Sequence, residues 1–416
     1  MGETQTSFVF EALVLDVPSA GESNRSAMAS QERSTIYRAL RTIKPLRAVV
    51  RAAREILEHH YVLTWRLEGN ERVSGHPLTI FFAGQFESKN YIADLAFDGS
   101  HTETSCRKMW LWNVFKLAKE RRGDYALVII DVQAPWYRLL KSPDAFLIPC
   151  WIRGEVDLAV ASGQFKRSES VKSDLRKIKN NDLQYRVTRD EHEFDRFYHR
   201  MYLPFVTRTY GDRAYPMTYA EMMKELDHCE LLLVKQDADD VAGMILVYDG
   251  IEVRAWSLGV KDGDPAHVKA GALAALYYFS MSHLINKGYQ RLHLGATRPF
   301  LRDGVLQYKK KWGTRIVGSS RRWFVLNPLR NIIGVKAFLA NNPFVFESDS
   351  GLNGALFVGQ GPSFADDEVH KLQKVCHELG IQSVKIFRFP EQHWPQNDLK
   401  ILSSTVSDLP GPRYDA

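Results

Sequence analysis

The order of apolar and polar positions divides the chain into unlike stretches. Residues 17–34 hold Pro18, Ser19, Gly21, Ser23, Ser26, Ser30 and Ser34 and read as a polar linker. Over 34–59, Ile36, Leu40, Ile43, Val50 and Leu57 form one stripe, while Arg38, Arg41, Lys44, Arg47, Arg51 and Arg54 recur every three or four residues on another. That spacing predicts a basic amphipathic helix, kinked at Pro45. Such a helix suits a membrane surface or RNA, and equally a solvated face of a soluble domain.

The next region reads as strand, strand, helix, strand. Leu78–Ala83 and Tyr91–Phe97 are β-rich, Thr104–Arg122 has helical spacing, and Tyr125–Val132 is a continuous apolar run of the kind found in strands covered on both faces. A second region repeats the order. Leu231–Lys235, Ala242–Tyr248 and Val253–Val260 read as strands, with Asp249-Gly250 as a hairpin turn. Ala266–Lys287 reads as a long helix closed by Gly288, and Arg291–Gly295 as a strand. Each region ends on an X-Pro-aromatic step, at 134–136 and at Arg298-Pro299-Phe300. The matched order points to an internal duplication, although two ordinary βαβ-like units give the same order. Residues 345–416 read as a strand at Gly354–Gly359, a helix at Ala365–Leu379, a strand at Ser383–Phe387 and a loose end.

Composition narrows the class. The chain has 416 residues, 45% hydrophobic and 25% charged, with 9 Trp, 17 Tyr and 22 Phe, which excludes a largely disordered chain. The net charge of +6 admits an anionic ligand without requiring DNA. Cys106, Cys150, Cys229 and Cys376 are scattered and lack CxxC spacing, so no zinc site or disulfide framework is expected and a cytoplasmic setting follows. No run of about 20 apolar residues is present to span a bilayer, and the first residues make a poor signal peptide.

Candidate chemistry concentrates in 229–313. After the last strand of the hairpin, residues 261–272 bring Lys269, Ala270, Gly271 and Ala272 to the start of a long helix. Small residues before a helix N-terminus, with a lysine beside them, make an anion site. Helix packing at Gly271 and a solvated Lys269 explain the same residues without a ligand.

The order strand–helix–helix–strand–strand–strand–loop–long helix–strand–helix–strand from Gln184 to Leu326 resembles the GNAT acyltransferase fold, and more closely its double-GNAT, Fem-like branch. Three segments carry the resemblance: the basic helix Ser170–Asn180, the helix Phe194–Tyr210, and Leu306-Gln307-Tyr308-Lys309-Lys310-Lys311-Trp312-Gly313. It covers about 170–320 well and 75–165 weakly. What it implies is an α/β fold with mixed sheets and tandem GNAT-like domains. The expected division is an N-terminal segment 1–60, a degenerate first domain 61–165, a second domain 166–330 and a C-terminal strand–helix–strand unit 331–416.

The resemblance also implies an acyl-CoA-dependent N- or O-acyltransferase acting on a small molecule or glycan precursor. Acetyl-CoA or another acyl-CoA would lie along Leu258 and Val260, with its pyrophosphate at Lys269–Ala272, where the usual R/Q-x-x-G-x-G/A pattern is degenerate. Tyr308 would protonate the leaving thiolate and His293 would take a proton from the acceptor, with Glu252 and Asp303 as weaker bases. Arg298 and Lys309 would bind the acceptor. Packing alone also accounts for Tyr308 and His293. No metal is expected. Two alternatives stay open: an aminoacyl transferase using aminoacyl-tRNA, and a silent scaffold that touches a partner or membrane through 34–59.

Overall fold

A computed structural model describes residues 61–120, 123–133, 136, 145–160, 169–211, 216–330, 332–358, 366–381, 383–389 and 401–405. The linker at 17–34, the basic stretch at 34–59 and the step at 134–135 lie outside the described residues. Residues 61–416 form one compact unit built on two sheets.

The ten-stranded sheet begins with β1 (Tyr61–Glu71), β2 (Pro77–Gly84), α1 (Phe86–Ala96), β3 (Phe97–Trp110), α2 (Leu111–Glu120), β4 (Leu127–Gln133) and β5 (Phe146–Pro149). The chain then crosses to the seven-stranded sheet through β6 (Ile152–Asp157), α3 (Glu169–Asn180) and β7 (Gln184–Thr188). Helices α4 (Glu191–Phe197), α5 (Leu203–Tyr210) and α6 (Tyr219–Lys224) lead to the meander β8 (Cys229–Gln236), β9 (Asp239–Asp249) and β10 (Glu252–Val260). Helices α7 (Pro265–Ala270) and α8 (Ala272–Asn286), β11 (Arg291–Thr297), α9 (Gly304–Lys311) and β12 (Arg315–Ser319) complete that part. The chain returns with β13 (Arg322–Pro328), α10 (Ile333–Asn341), β14 (Phe344–Ser348), β15 (Gly351–Val358), α11 (Asp366–Glu378), β16 (Ser383–Arg388) and β17 (Ile401–Thr405).

Strand order is β17-β16-β15-β14-β5-β13-β4-β2-β1-β3 in the first sheet and β12-β6-β11-β10-β9-β8-β7 in the second. The mixed α/β class expected from the sequence is what forms. The two sheets trade strands. β6 sits between β11 and β12, antiparallel to both, while β13 sits between β4 and β5. The C-terminal strands continue the first sheet through β14 beside β5.

Alternation explains the continuous apolar run of β4. Leu127 and Ile129 enter one core with Phe82, Ile148 and Phe324; Val128, Ile130 and Val132 enter another with Phe81 and Trp323. In the second sheet, Leu232, Met244, Val253, Leu292 and Leu294 face α8, while Leu231, Leu233 and Ile245 face Phe194, Phe197 and Met201.

Four local expectations change. Tyr91–Phe97 is the end of helix α1 running into β3, because Ile92, Ala93 and Ala96 bury one helical face. Thr104–Trp110 is strand, held antiparallel to β1, and the helix starts only at Leu111. The first region's parallel pair is therefore β2 with β4, so the proposed duplicate is displaced from the aligned segments. The helix Phe194–Tyr210 contains a π turn at Tyr198–Tyr202, and the helix Ala266–Lys287 breaks at Gly271, which is left-handed at φ 102°. A π turn widens the helix locally and is often found at functional sites. This one lies against Gly259, where a Cβ would come within 2.5 Å of the Met201 carbonyl.

Candidate functional site

Parallel strands β10 and β11 are in register at one position, Arg254 opposite His293. Just beyond it, β10 shifts register against β9 between Ala255 and Ser257, and β11 shifts against β6 between His293 and Ala296. Gly295 takes φ 71° within that irregularity. The result is a gap between the C-terminal ends of two parallel strands, where backbone groups are released from the ladder. Ser257 contributes a buried hydroxyl oxygen with no hydrogen-bond partner.

Lys309 projects from α9 into this gap. Its side chain is 8% exposed and its Nζ donates to the Ala296 carbonyl oxygen at 3.2 Å. Burial lowers its pKa to about 8, against the opposing pull of nearby Asp303. Asp303 caps α9 by accepting from the backbone N–H groups of Val305 and Leu306 at 3.0 Å, and also accepts from the Tyr91 hydroxyl at 3.3 Å. The run Lys309-Lys310-Lys311 does not form one solvated face. Lys310 pairs with Glu378, and Lys311 pairs with Asp174 while lying 3.9 Å from the Tyr308 ring centre.

Tyr308 occupies a different side of α9. It packs against Tyr277 at 5.3 Å and belongs to the core under α8. Burial and the neighbouring Tyr277 raise its pKa, so it stays protonated and is a weaker acid than a free phenol. His293 points away from that core, since Leu292 and Leu294 on either side of it both enter the core. Its Nδ1 lies 3.5 Å from Glu155 and its Nε2 3.5 Å from Glu252. The fold thus brings His293, Glu252 and Glu155 to the mouth of the gap and Lys309 inside it, but puts Tyr308 and His293 on opposite faces of the sheet.

Arg298 follows β11 and is buried between the two sheets, where its guanidinium lies against Trp151, Tyr91 and Phe324. Leu258 is half-buried and Val260 fully buried past the irregularity of β10.

Residues 269–272 form a helix junction. Lys269 is exposed at the end of α7. The Gly271 N–H donates to the Val268 carbonyl, and the Ala270 carbonyl accepts from Asn181. A Cβ on Gly271 would lie 3.1 Å from the Lys177 Cβ of α3, and Ala272 is buried. The start of α7 is occupied as well: Asp264 caps Ala266, and Pro265 has no N–H to offer. The pyrophosphate of coenzyme A needs free backbone N–H groups at a helix start, and the Gly271 N–H is used within the junction.

Glu155 was not among the sequence candidates. It arrives on β6, a strand from the other half of the chain, and no local pattern marks that exchange. Ser257 is equally silent in sequence, because only the register shift beside it makes its hydroxyl notable.

Residues 166–310 match the family model described as acetyltransferase (GNAT) domain. The matched segment holds the gap, His293 and Lys309. No curated protein sequence matches the chain. Among solved structures, similar ones include L-PGS from Bacillus licheniformis (10% identity, 66% of this chain and 88% of that one, TM-score 0.33). FemX (12%, 64% and 84%, 0.33) is another. A third is a tandem GNAT protein from the clavulanic acid biosynthesis pathway (12%, 62% and 81%, 0.25).

Proposed function

We propose that the chain transfers an acyl group from an activated ester or thioester to an amine or hydroxyl held in the gap between β10 and β11. The observation that carries this reading is the buried Lys309 amine on the Ala296 carbonyl, at the point where the two strands part. An amine titrating near pH 8 is neutral often enough to accept a proton, and its conjugate acid is strong enough to return one. In the reaction the acceptor's lone pair adds to the acyl carbon while Lys309 takes the acceptor's proton. The bond to the leaving group then breaks, and the proton passes to the departing oxygen or sulfur. Backbone N–H groups freed beside Ser257 would stabilise the oxyanion between these steps. Tyr308 is assigned to packing and His293 to the rim of the acceptor side.

The donor is the second part of the reading. The covered junction at Gly271 counts against coenzyme A and favours the aminoacyl ester of a tRNA, as do the exposed Arg176, Lys177 and Lys179 on α3 beside that junction. The acceptor is assigned to the small molecules, glycan precursors included.

The test is acyl transfer measured by mass spectrometry, with acetyl-CoA and an aminoacyl-tRNA pool supplied separately to wild type and Lys309→Met. Transfer from one donor, lost in the variant, is the expected result. Transfer that survives the variant removes Lys309 from the chemistry. No transfer from either donor would return the chain to the scaffold reading. Saturable thermal stabilisation by acetyl-CoA would restore the acyl-CoA reading.

A further inference from the structure

Arg298 is unusual among the cations around the gap. Its guanidinium carbon lies 3.9 Å from the Trp151 ring centre, 4.5 Å from Tyr91 and 6.0 Å from Phe324, and the residue is only 8% exposed. Among the described residues its one hydrogen bond runs from Nη1 to the Cys150 carbonyl oxygen at 3.3 Å, and no carboxylate comes within ion-pairing distance. Three neighbouring cations are matched, Arg322 by Asp131, Lys310 by Glu378 and Lys311 by Asp174, whereas Lys309, like Arg298, bonds a backbone carbonyl. A buried guanidinium with no carboxylate in contact is costly, and the aromatic faces and the more distant Asp131 and Asp303 offset only part of that cost. Burial accordingly lowers the Arg298 pKa.

Aromatic rings flank the guanidinium, and among the described residues one of its N–H groups is bonded. A guanidinium carries five N–H donors in one plane, a geometry suited to two oxygens of a carboxylate or phosphate. Position matters as well. Arg298 lies two residues beyond Ala296, whose carbonyl holds Lys309, which is roughly 7 Å of extended chain. Asp303 influences both Arg298 and Lys309.

We propose that Arg298 is a fork for an oxyanion of the acceptor, a carboxylate or a phosphate monoester, which directs the acceptor's nucleophile back toward Lys309. This rests on the acyl-transfer reading above. It assigns the acceptor to anionic small molecules and makes Trp151 and Tyr91 the clamp that holds the fork in position.

The experiment measures thermal shift and affinity on the full chain with sodium glutamate and with inorganic phosphate, each against sodium chloride at equal ionic strength. One probe should raise the melting temperature saturably, and the responding probe identifies the oxyanion. Arg298→Met should abolish the shift. Arg298→Lys, which keeps the charge but loses the planar fork, should weaken binding about tenfold, the equivalent of one charge-assisted hydrogen bond. No saturable shift with either probe overturns the proposal, as does an equal shift in Arg298→Met. Should that variant fail to fold, unchanged affinity in Arg298→Lys overturns it alone. Anion binding that depends on Arg298 without acyl transfer from any donor supports the fork and counts only against the reading beneath it. Acyl transfer with the acceptor KM unchanged in Arg298→Lys overturns the fork and leaves the transfer standing.

Discussion

The Nζ of Lys309 donates to the carbonyl oxygen of Ala296 at 3.2 Å, which ties the last turn of α9 to the strand that forms one wall of the gap. The carbonyl belongs to a strand released from its neighbour, so the lysine holds the opened backbone in place.

A pH dependence follows. The Lys309 pKa falls from 10.5 to about 8, so the neutral amine grows as pH rises through about 8. The rate of transfer should increase up to that point and then level, and the rising limb should vanish in Lys309→Met, with a loss of about a hundredfold or more. A pH–rate profile of both proteins checks this.

The same shift has an opposite effect on stability. A lysine with a depressed folded-state pKa opposes folding below about 8, and the penalty fades as pH rises toward 10.5. It amounts to about 3 kcal/mol at neutral pH. Lys309→Met should therefore be at least as stable as wild type by denaturant titration at pH 7, although inactive. A strongly destabilised variant would contradict the burial argument.

Glu230 on β8 behaves in the opposite sense. Burial would push its pKa up, but donors from Lys287, Tyr248, His283 and Arg189 outweigh it and hold the pKa at about 2. Its stabilisation is complete above the ordinary value of 4.5 and is lost as pH falls toward about 2. Glu230→Gln should cost about 3 kcal/mol at pH 7 and flatten the acid limb of the stability curve. Equal acid sensitivity in variant and wild type would argue against this network.

Gly271→Ala separates packing from ligand binding. Its φ of 102° costs an alanine about 1–2 kcal/mol, and the new Cβ meets Lys177. The melting temperature should drop, while affinity for the working donor should stay within about twofold, since binding and packing sites here are independent. A large change in donor affinity with an unchanged melting temperature would restore a phosphate role at Gly271.

The second half of the fold was legible because its signals are local. Asp249-Gly250 marks the hairpin in which Asp249 pairs with Glu252, and Gly288 closes the helix before β11. The first half was less so. Ile92, Ala93 and Ala96 suit a helix face as well as a strand run, and β1 decides the matter by claiming Thr104–Trp110 as its partner, a contact some 40 residues away in sequence. At the site, Lys309 and Arg298 stood out by type, but the depressed amine and the bare guanidinium are products of burial. Glu155 depends on which sheet β6 joins, and the residues of β6 suit either.

The exchange of β6 and β13 makes the two halves obligate neighbours in folding. A chain stopped at 165 would keep Ile152–Asp157 with no sheet to enter and leave an open slot between β4 and β5. One started at 166 would lack the strand between β11 and β12. Each piece would present unpaired strand edges where the other half belongs, and such edges invite aggregation. Splitting the chain for expression therefore removes the wall that carries Glu155 to His293, so that side of the gap is built only in the uncut polypeptide.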